Sequence, residues 1–392
     1  MPVGTVKNLL YGLALPVLGQ RPAWRAPRGA TKADAVARAL WRKRCVGACV
    51  QRFEGGSLTE CICAGHAALE PVKRPVAPDT VFRTASVAKM VTALLVFRLQ
   101  TQGRLSVTEE ISELWGRRIC NPHCPDAPIT LGMLLSHTSS IVDSPAYFAA
   151  FQSNSPLSEL LSDPRSFLPA VPGTAFRYSN LAAGMVASLL EKRFDMSFEQ
   201  LMQQELMEPL GVAGTFDPSG LDVETVADSY RVLPPARAFC AAKRIASSAP
   251  MMEPDPERRY LPAAGNLFIT APDLARLALV AWGGGDGFLD ARSVEEMRRP
   301  VAGWPEKAVN MRHGMGLLTL DDRAVCTRTL WGHQGFAYGA VNGVFFDGQG
   351  SGFVLLDSGC SEQRMGHLAQ VNRELIRICL EDGKDGKACT GA

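Results

Sequence analysis

Three short clusters hold the residues able to do chemistry. The first is Ser86-Val87-Ala88-Lys89, inside FRTASVAKMVTALLVFRL at 82–99. Apolar residues recur there at helical spacing (Val87, Val91, Leu94, Leu95), and side chains three apart on a helix share a face. That spacing holds a Lys amine beside a Ser hydroxyl. It also sets the hydroxyl at the positive end of a helix dipole, which favours a developing alkoxide. A buried Lys loses proton affinity and can accept the hydroxyl proton near neutral pH. The second cluster is Tyr178-Ser179-Asn180, just before a long helical pattern. A phenol close to a Lys ammonium has its pKa lowered and can act as a base, and the Asn180 amide can orient a Lys or a substrate carbonyl. The third is Trp331-Gly332-His333-Gln334-Gly335-Phe336, between two strand-like runs. Glycines there let backbone approach a ligand, and a strand edge can offer an N–H to an oxyanion. Each cluster also has a plain structural reading: Ser86 as a helix cap, Asn180 as a cap beside a half-buried aromatic, and a strand with a Gly bulge carrying an ordinary His.

The surrounding pattern predicts the elements that must position them. Residues 31–45 are amphipathic and helical, and 49–53 with 58–69 form a hairpin turned by Glu54-Gly55-Gly56. A Pro-rich connector, 71–80, leads to Ser86. From about 104 to 260 helical segments dominate (129–136, 156–161, 180–193, 198–209), broken at Pro172-Gly173 and Leu210-Gly211. A return to the sheet is expected at 261–265. A helix at 271–282 follows, stopped by Gly283-Gly284-Gly285. Strands are expected at 314–320, 327–331, 340–347 and 352–357, and a helix at 368–380. The division is a segment 1–30 that is a targeting sequence or disordered, one catalytic domain 31–380, and a polar tail 381–392. Within the domain, a sheet lobe (31–103 and 261–380) carries an inserted, mostly helical lobe (104–260).

Composition narrows the classes. The chain has 392 residues, 46% hydrophobic and 20% charged, with a net charge of +2. It can bury a sizeable core. It has no Lys/Arg run of the length that nucleic acid binding calls for. The apolar run at 9–19 follows Lys7 and matches a signal h-region in length, but it is too short to span a bilayer. Eleven Cys at irregular spacing point to a reducing compartment. The expectation is therefore cytoplasmic, with export as the alternative. Cys120 and Cys124 lack a matching second pair, and Cys61 and Cys63 share one face of a strand, so no metal or other cofactor is expected.

Taken in order, Ser-x-x-Lys, Tyr-x-Asn and His-x-Gly resemble the three active-site motifs of the penicillin-recognising serine hydrolases. The likeness is strongest to the branch of class C β-lactamases, D-alanyl-D-alanine carboxypeptidases, esterases and D-aminopeptidases. It extends to LLSHTSS at 134–140, similar to the family's LLxHTSG with Ser140 in place of Gly. PGTAFRYSN at 172–180 and AAGNL through APDLA at 263–275 also resemble family segments. The resemblance covers roughly 35–380 and implies an α+β fold, an antiparallel sheet flanked by helices with the site in a cleft against the helical lobe. It implies Ser86 as the acylated nucleophile and Lys89 as the amine that deprotonates it. It implies Tyr178 as the proton carrier for the leaving group and Asn180 as a hydrogen-bonding residue. His333 takes the place of the third-motif cation, with Gly335 beside it, and the N–H groups of Ser86 and Phe336 form the oxyanion hole. His137 falls in a structural segment, and His66, His123, His313 and His367 have no evident partners in the sequence.

The third motif reads His-Gln-Gly rather than Lys-Thr-Gly, which weakens the case for carboxylate recognition and for a dedicated β-lactamase. The leading expectation is a hydrolase acting through an acyl-enzyme on a D-amino-acid peptide or a small ester. The alternatives are a slow-acylating penicillin-binding or sensor module and a class C-like β-lactamase.

Overall fold

The computed structural model describes residues 3–304 and 308–381. Nine strands form one antiparallel sheet: β1 (Gly47–Glu54), β2 (Ser57–Ala68), β3 (Arg74–Pro75), β4 (Ala302–Gly303), β5 (Met311–His313), β6 (Leu318–Leu320), β7 (Leu330–Ala337), β8 (Ala340–Phe346) and β9 (Gly352–Asp357). Their spatial order is β3-β2-β1-β9-β8-β7-β6-β5-β4. The first hairpin therefore pairs with the last long strand, Ala48 opposite Asp357 and Phe53 opposite Gly352. Between them the chain is mostly helical as far as residue 298 and then forms strands β4 to β8.

Both faces of the central strands are covered, which is why β8 and β9 are apolar at nearly every position. Alternation then sorts the side chains. Phe345, Phe353 and Leu355 pack with helices α2 (Lys32–Arg42) and α6 (Gln370–Cys379), while Val344, Val354 and Leu356 face α3 (Ala88–Thr101) and α5 (Ala271–Gly283). Helix α4 (Asn180–Phe194) is the central rod of the inserted lobe.

Several elements differ from expectation. Residues 261–265 do not rejoin the sheet: Tyr260–Ala263 is a helical turn packed on α4. A short apolar run carries no period of its own, so this packing decides its conformation. His333 does not lie between two strands either, since β7 runs unbroken through the motif from Leu330 to Ala337. Within 1–30, a helix precedes the sheet. Helix α1 (Val3–Leu18) docks through Asn8, whose amide donates to the Arg364 carbonyl at 2.7 Å and accepts from the Arg364 N–H at 3.0 Å. The polar tail lies outside the described residues beyond 381.

Gly184 in α4 faces the backbone carbonyl of Tyr260, where an added Cβ would stand 1.9 Å from the oxygen. Helix propensity alone makes Gly184→Ala stabilising by about 1 kcal/mol. A clash with backbone outweighs it, because overpacking costs about 1–3 kcal/mol and neither element can yield separately. Gly184→Ala is expected to lower the urea midpoint; a midpoint that rises would show that α4 and the Tyr260 turn separate freely.

Candidate active site

The nucleophile segment is a strained entry to a helix. Phe82–Arg83 is a short strand, Ala85–Val87 a single 3₁₀ turn, and α3 begins at Ala88. Ala85 has φ 52°, a left-handed conformation that a residue with a Cβ holds only when its surroundings impose it. Strand β7 imposes it from the other side. A Cβ on Gly335 would lie 2.5 Å from the Thr84 carbonyl and 2.9 Å from the Ser86 nitrogen, so glycine lets β7 lie directly against the Ser86 backbone. Asn342 in β8 secures the contact by donating to the Arg83 carbonyl at 3.0 Å.

Lys89, one turn into the helix, is buried. Its Nζ lies 3.2 Å from Ser86 Oγ, 2.9 Å from Asn180 Oδ1 and 2.6 Å from the Ala264 carbonyl. Burial pulls its pKa from 10.5 down to about 7, against the opposing pull of Asp143. In the neutral amine the two N–H groups satisfy Asn180 and Ala264, and the lone pair is left facing the Ser86 hydroxyl. The Asn180 amide is held in the orientation this requires, since its Nδ2 donates to Asp143 at 2.9 Å. The same carboxylate accepts from the Ser179 hydroxyl at 3.0 Å and the Leu181 N–H at 2.9 Å. Asp143 thus fixes the start of α4, where Ser179 rather than Asn180 is the cap.

Tyr178 is half-buried at the cavity wall, hydrogen-bonded to Ser86, and its ring centroid is 5.2 Å from Lys89 Nζ. The expected lowering of its pKa does not occur. Burial dominates and raises it, with the Ser86 hydrogen bond pulling the other way. Lys89 is the group whose proton affinity is tuned to neutral pH. His137 backs the Tyr178 ring at 4.2 Å between centroids, and its Nδ1 accepts the Ser179 N–H at 3.3 Å. Burial pushes His137 well below the ordinary imidazole range, which keeps it neutral. Ser140, where the resembling segment has Gly, takes φ 66°, which accounts for the glycine usual there.

Ser86, Tyr178, Asn180, His333 and Phe336 share one cavity of about 330 Å³ with Trp304, His313 and Arg364. His333 is present, but not as a cation: burial, and secondarily Lys89, lower its pKa to about 3. Gln334 does not stand in for a substrate-binding hydroxyl. Its amide donates to the His367 carbonyl at 2.5 Å and accepts from the Ala369 N–H at 3.2 Å, binding the loop 364–369 to the sheet. That loop brings the cation the motif lacks. The guanidinium carbon of Arg364 lies 3.7 Å from the centroid of the Phe336 ring at the cavity wall. Arg364, Asp143, Trp304 and the Ala264 carbonyl were not identified from sequence. Only Ala264 had a signal, its place in the AAGNL segment. His313 and His367 also lie at the cavity, His367 stacked on Trp304 and His313 edge-on to it.

A serine turn packed against the sheet and facing helices defines the fold class of the serine β-lactamases and penicillin-binding proteins. Residues 33–369 match the β-lactamase family, and the chain belongs to it. It is 27% identical over 330 residues to esterase EstB of Burkholderia gladioli, covering 75% of this chain and 81% of that protein. It is 27% identical to penicillin-binding protein 4 of Amycolatopsis lactamdurans, over 63% of this chain and 65% of that protein. With the carboxypeptidase/endopeptidase AmpH of Escherichia coli K12 it shares 30% identity, spanning 38% of that protein and 36% of this chain. The solved structure of EstCE1, a hydrolase with promiscuous acyltransferase activity, superposes with a TM-score of 0.72 at 20% identity, covering 89% of this chain and 98% of that one. D-amino acid amidase from Ochrobactrum anthropi SV3 superposes at 0.68 and 20% identity, over 89% and 97%.

Proposed function

We propose that the chain is a serine hydrolase that cleaves a small amide or ester through an acyl-enzyme on Ser86. The observation that carries this reading is the Lys89 nitrogen held between Asn180 and Ala264 with its remaining position on Ser86 Oγ. As Oγ bonds to the substrate carbonyl carbon, its proton passes to Lys89 Nζ. The carbonyl oxygen becomes an oxyanion and is received by the Ser86 and Phe336 N–H groups. Tyr178, hydrogen-bonded to Ser86, relays the proton from Lys89 to the departing amine or alcohol, and the C–N or C–O bond breaks. Water then adds to the acyl carbon, gives its proton to the same relay, and frees Ser86 and a carboxylic acid.

The substrate class follows from the cavity. Its volume, about 330 Å³, is near the lower bound of ligand sites, roughly 300–1,000 Å³. Trp304, Tyr178 and Phe336 give it aromatic walls, and Arg364 gives it one cation beside the neutral His333. This suits a short D-amino-acid amide or peptide, or a small ester, with an apolar group and a carboxylate able to reach Arg364. The names of EstB, AmpH and D-amino acid amidase agree with that range. The lysine set as a base favours turnover over a slowly acylating sensor. The cytoplasmic assignment rests on the cysteine content, and no helix among the described residues is long and apolar enough to cross a membrane.

Three outcomes are expected. Mass spectrometry of wild type with D-amino-acid amides, esters and β-lactams finds an acyl adduct on the Ser86 peptide. Ser86→Ala shows none and loses at least about a thousandfold in rate; retention of a tenth of the rate would place the nucleophile elsewhere. Because the Lys89 pKa is lowered, the amine is neutral above about pH 7, so kcat rises through pH 7 to a plateau. A rate that falls across that range would assign the base to another group. Arg364→Ala raises KM about tenfold for substrates with a free carboxylate, the loss of one charge-assisted contact of about 1.5 kcal/mol, and leaves neutral esters unchanged. Equal effects on both would make Arg364 a wall residue only.

A further inference from the structure

Away from the hydrolytic site, three thiols converge on one face of the first hairpin. Cys49 in β1 stands directly opposite Cys63 in β2, and Cys61, two residues earlier on the same strand, points to the same side. This is the face that packs toward α5, whereas their neighbours Ala48, Val50 and Ile62 face α2 and α6. Cys49 Sγ lies 3.4 Å from Cys61 Sγ and 3.5 Å from Cys63 Sγ, and all three ligand atoms fall within 4.8 Å of one another. Among the described residues no other His, Cys, Asp or Glu joins them, and no second group of this kind occurs, Cys120, His123 and Cys124 included. Cys49 is buried, and Cys61 and Cys63 are half-buried, so an ion can enter from one side.

We propose that Cys49, Cys61 and Cys63 form a three-sulfur site for one soft, thiophilic ion, Cu(I) in preference to Zn(II). An ion bonded to three thiolates at about 2.3 Å in a trigonal arrangement holds its sulfurs roughly 4 Å apart. Cys49 Sγ, now 3.4 and 3.5 Å from its two neighbours, needs to move apart from them by about half an ångström, within the reach of side-chain rotation. Structural zinc takes four protein ligands, and this site offers three. All-sulfur, low-coordination sets select Cu(I). Each thiol that ligates releases its proton to water, and no electron is transferred. The bound ion ties β1 to β2 near the sheet edge, on the side opposite the pairing with β9. It takes no part in acyl transfer, so the site stands or falls independently of the proposed hydrolysis.

The test is anaerobic titration of the reduced full-length protein with Cu(I) against the chelator bathocuproine disulfonate. X-ray absorption of the one-to-one complex accompanies it. One tightly held Cu(I) per chain is expected, with three sulfurs in its shell. Cys61→Ser/Cys63→Ser is expected to bind at least a hundredfold more weakly, while Cys120→Ser/Cys124→Ser binds as wild type does. Circular dichroism and melting of each variant report folding, and the wild-type absorption spectrum remains decisive if the first variant fails to fold. The proposal is overturned by equal affinity in the first variant and wild type. It is also overturned by oxygen or nitrogen in the shell, by tighter binding of Zn(II) than Cu(I), or by a native mass showing Cys49 already joined to Cys61 or Cys63 as a disulfide.

Discussion

A lysine nitrogen buried where three distant pieces of chain meet is the constraint on which the site depends. Ser86 arrives on a turn before α3, Asn180 on the first residue of α4, and Ala264 on the stretch after the Tyr260 turn. Burial makes the ammonium expensive, and the two acceptors make the amine comfortable in one orientation only. The balance leaves Lys89 near pKa 7, neither permanently charged nor permanently inert. Everything nearby serves to keep that balance. Asp143 aims the Asn180 amide, His137 backs the tyrosine without adding charge, and Gly335 lets the sheet edge close against the serine turn.

The same burial sets the protonation of the other groups. Desolvation raises the pKa of Tyr178, which stays a phenol, and lowers those of His137, His313 and His333, which stay neutral imidazoles. An argument from residue type alone makes Tyr178 a base and His333 a cation. Both follow from partners imagined at the right distance, without the desolvation that outweighs them. The cation at the cavity wall is instead Arg364, on a loop that Gln334 fastens to β7.

Much of the architecture was legible in the sequence for definite reasons. The hairpin of β1 and β2 announces itself by alternation around Glu54-Gly55-Gly56, and α5 by Pro272 near its start and glycines after its end. Ser86, Lys89, Tyr178 and Asn180 were found because their spacing is local, one helical turn or two residues. Asp143 and Arg364 were missed because nothing near them in sequence marks them. Their roles exist only once α4 and the loop 364–369 are docked. Residues 261–265 suggest a strand because a five-residue apolar run without a period fits either structure, and packing turns Tyr260–Ala263 into a helical turn. The strand expected to stop at Trp331 continues to Ala337 as β7, because Gly332, at φ 155°, keeps its place in the ladder opposite Phe345.

Asn8 of α1 grips both the N–H and the carbonyl of Arg364, whose side chain closes one wall of the cavity. The first helix thus helps to shape the cavity wall, even though it lies ahead of the stretch that matches the family. Two chains with identical motifs but different leading helices would present that arginine differently. Divergence in ligand preference within such a group can therefore arise in a segment that alignments centred on the reactive residues leave aside.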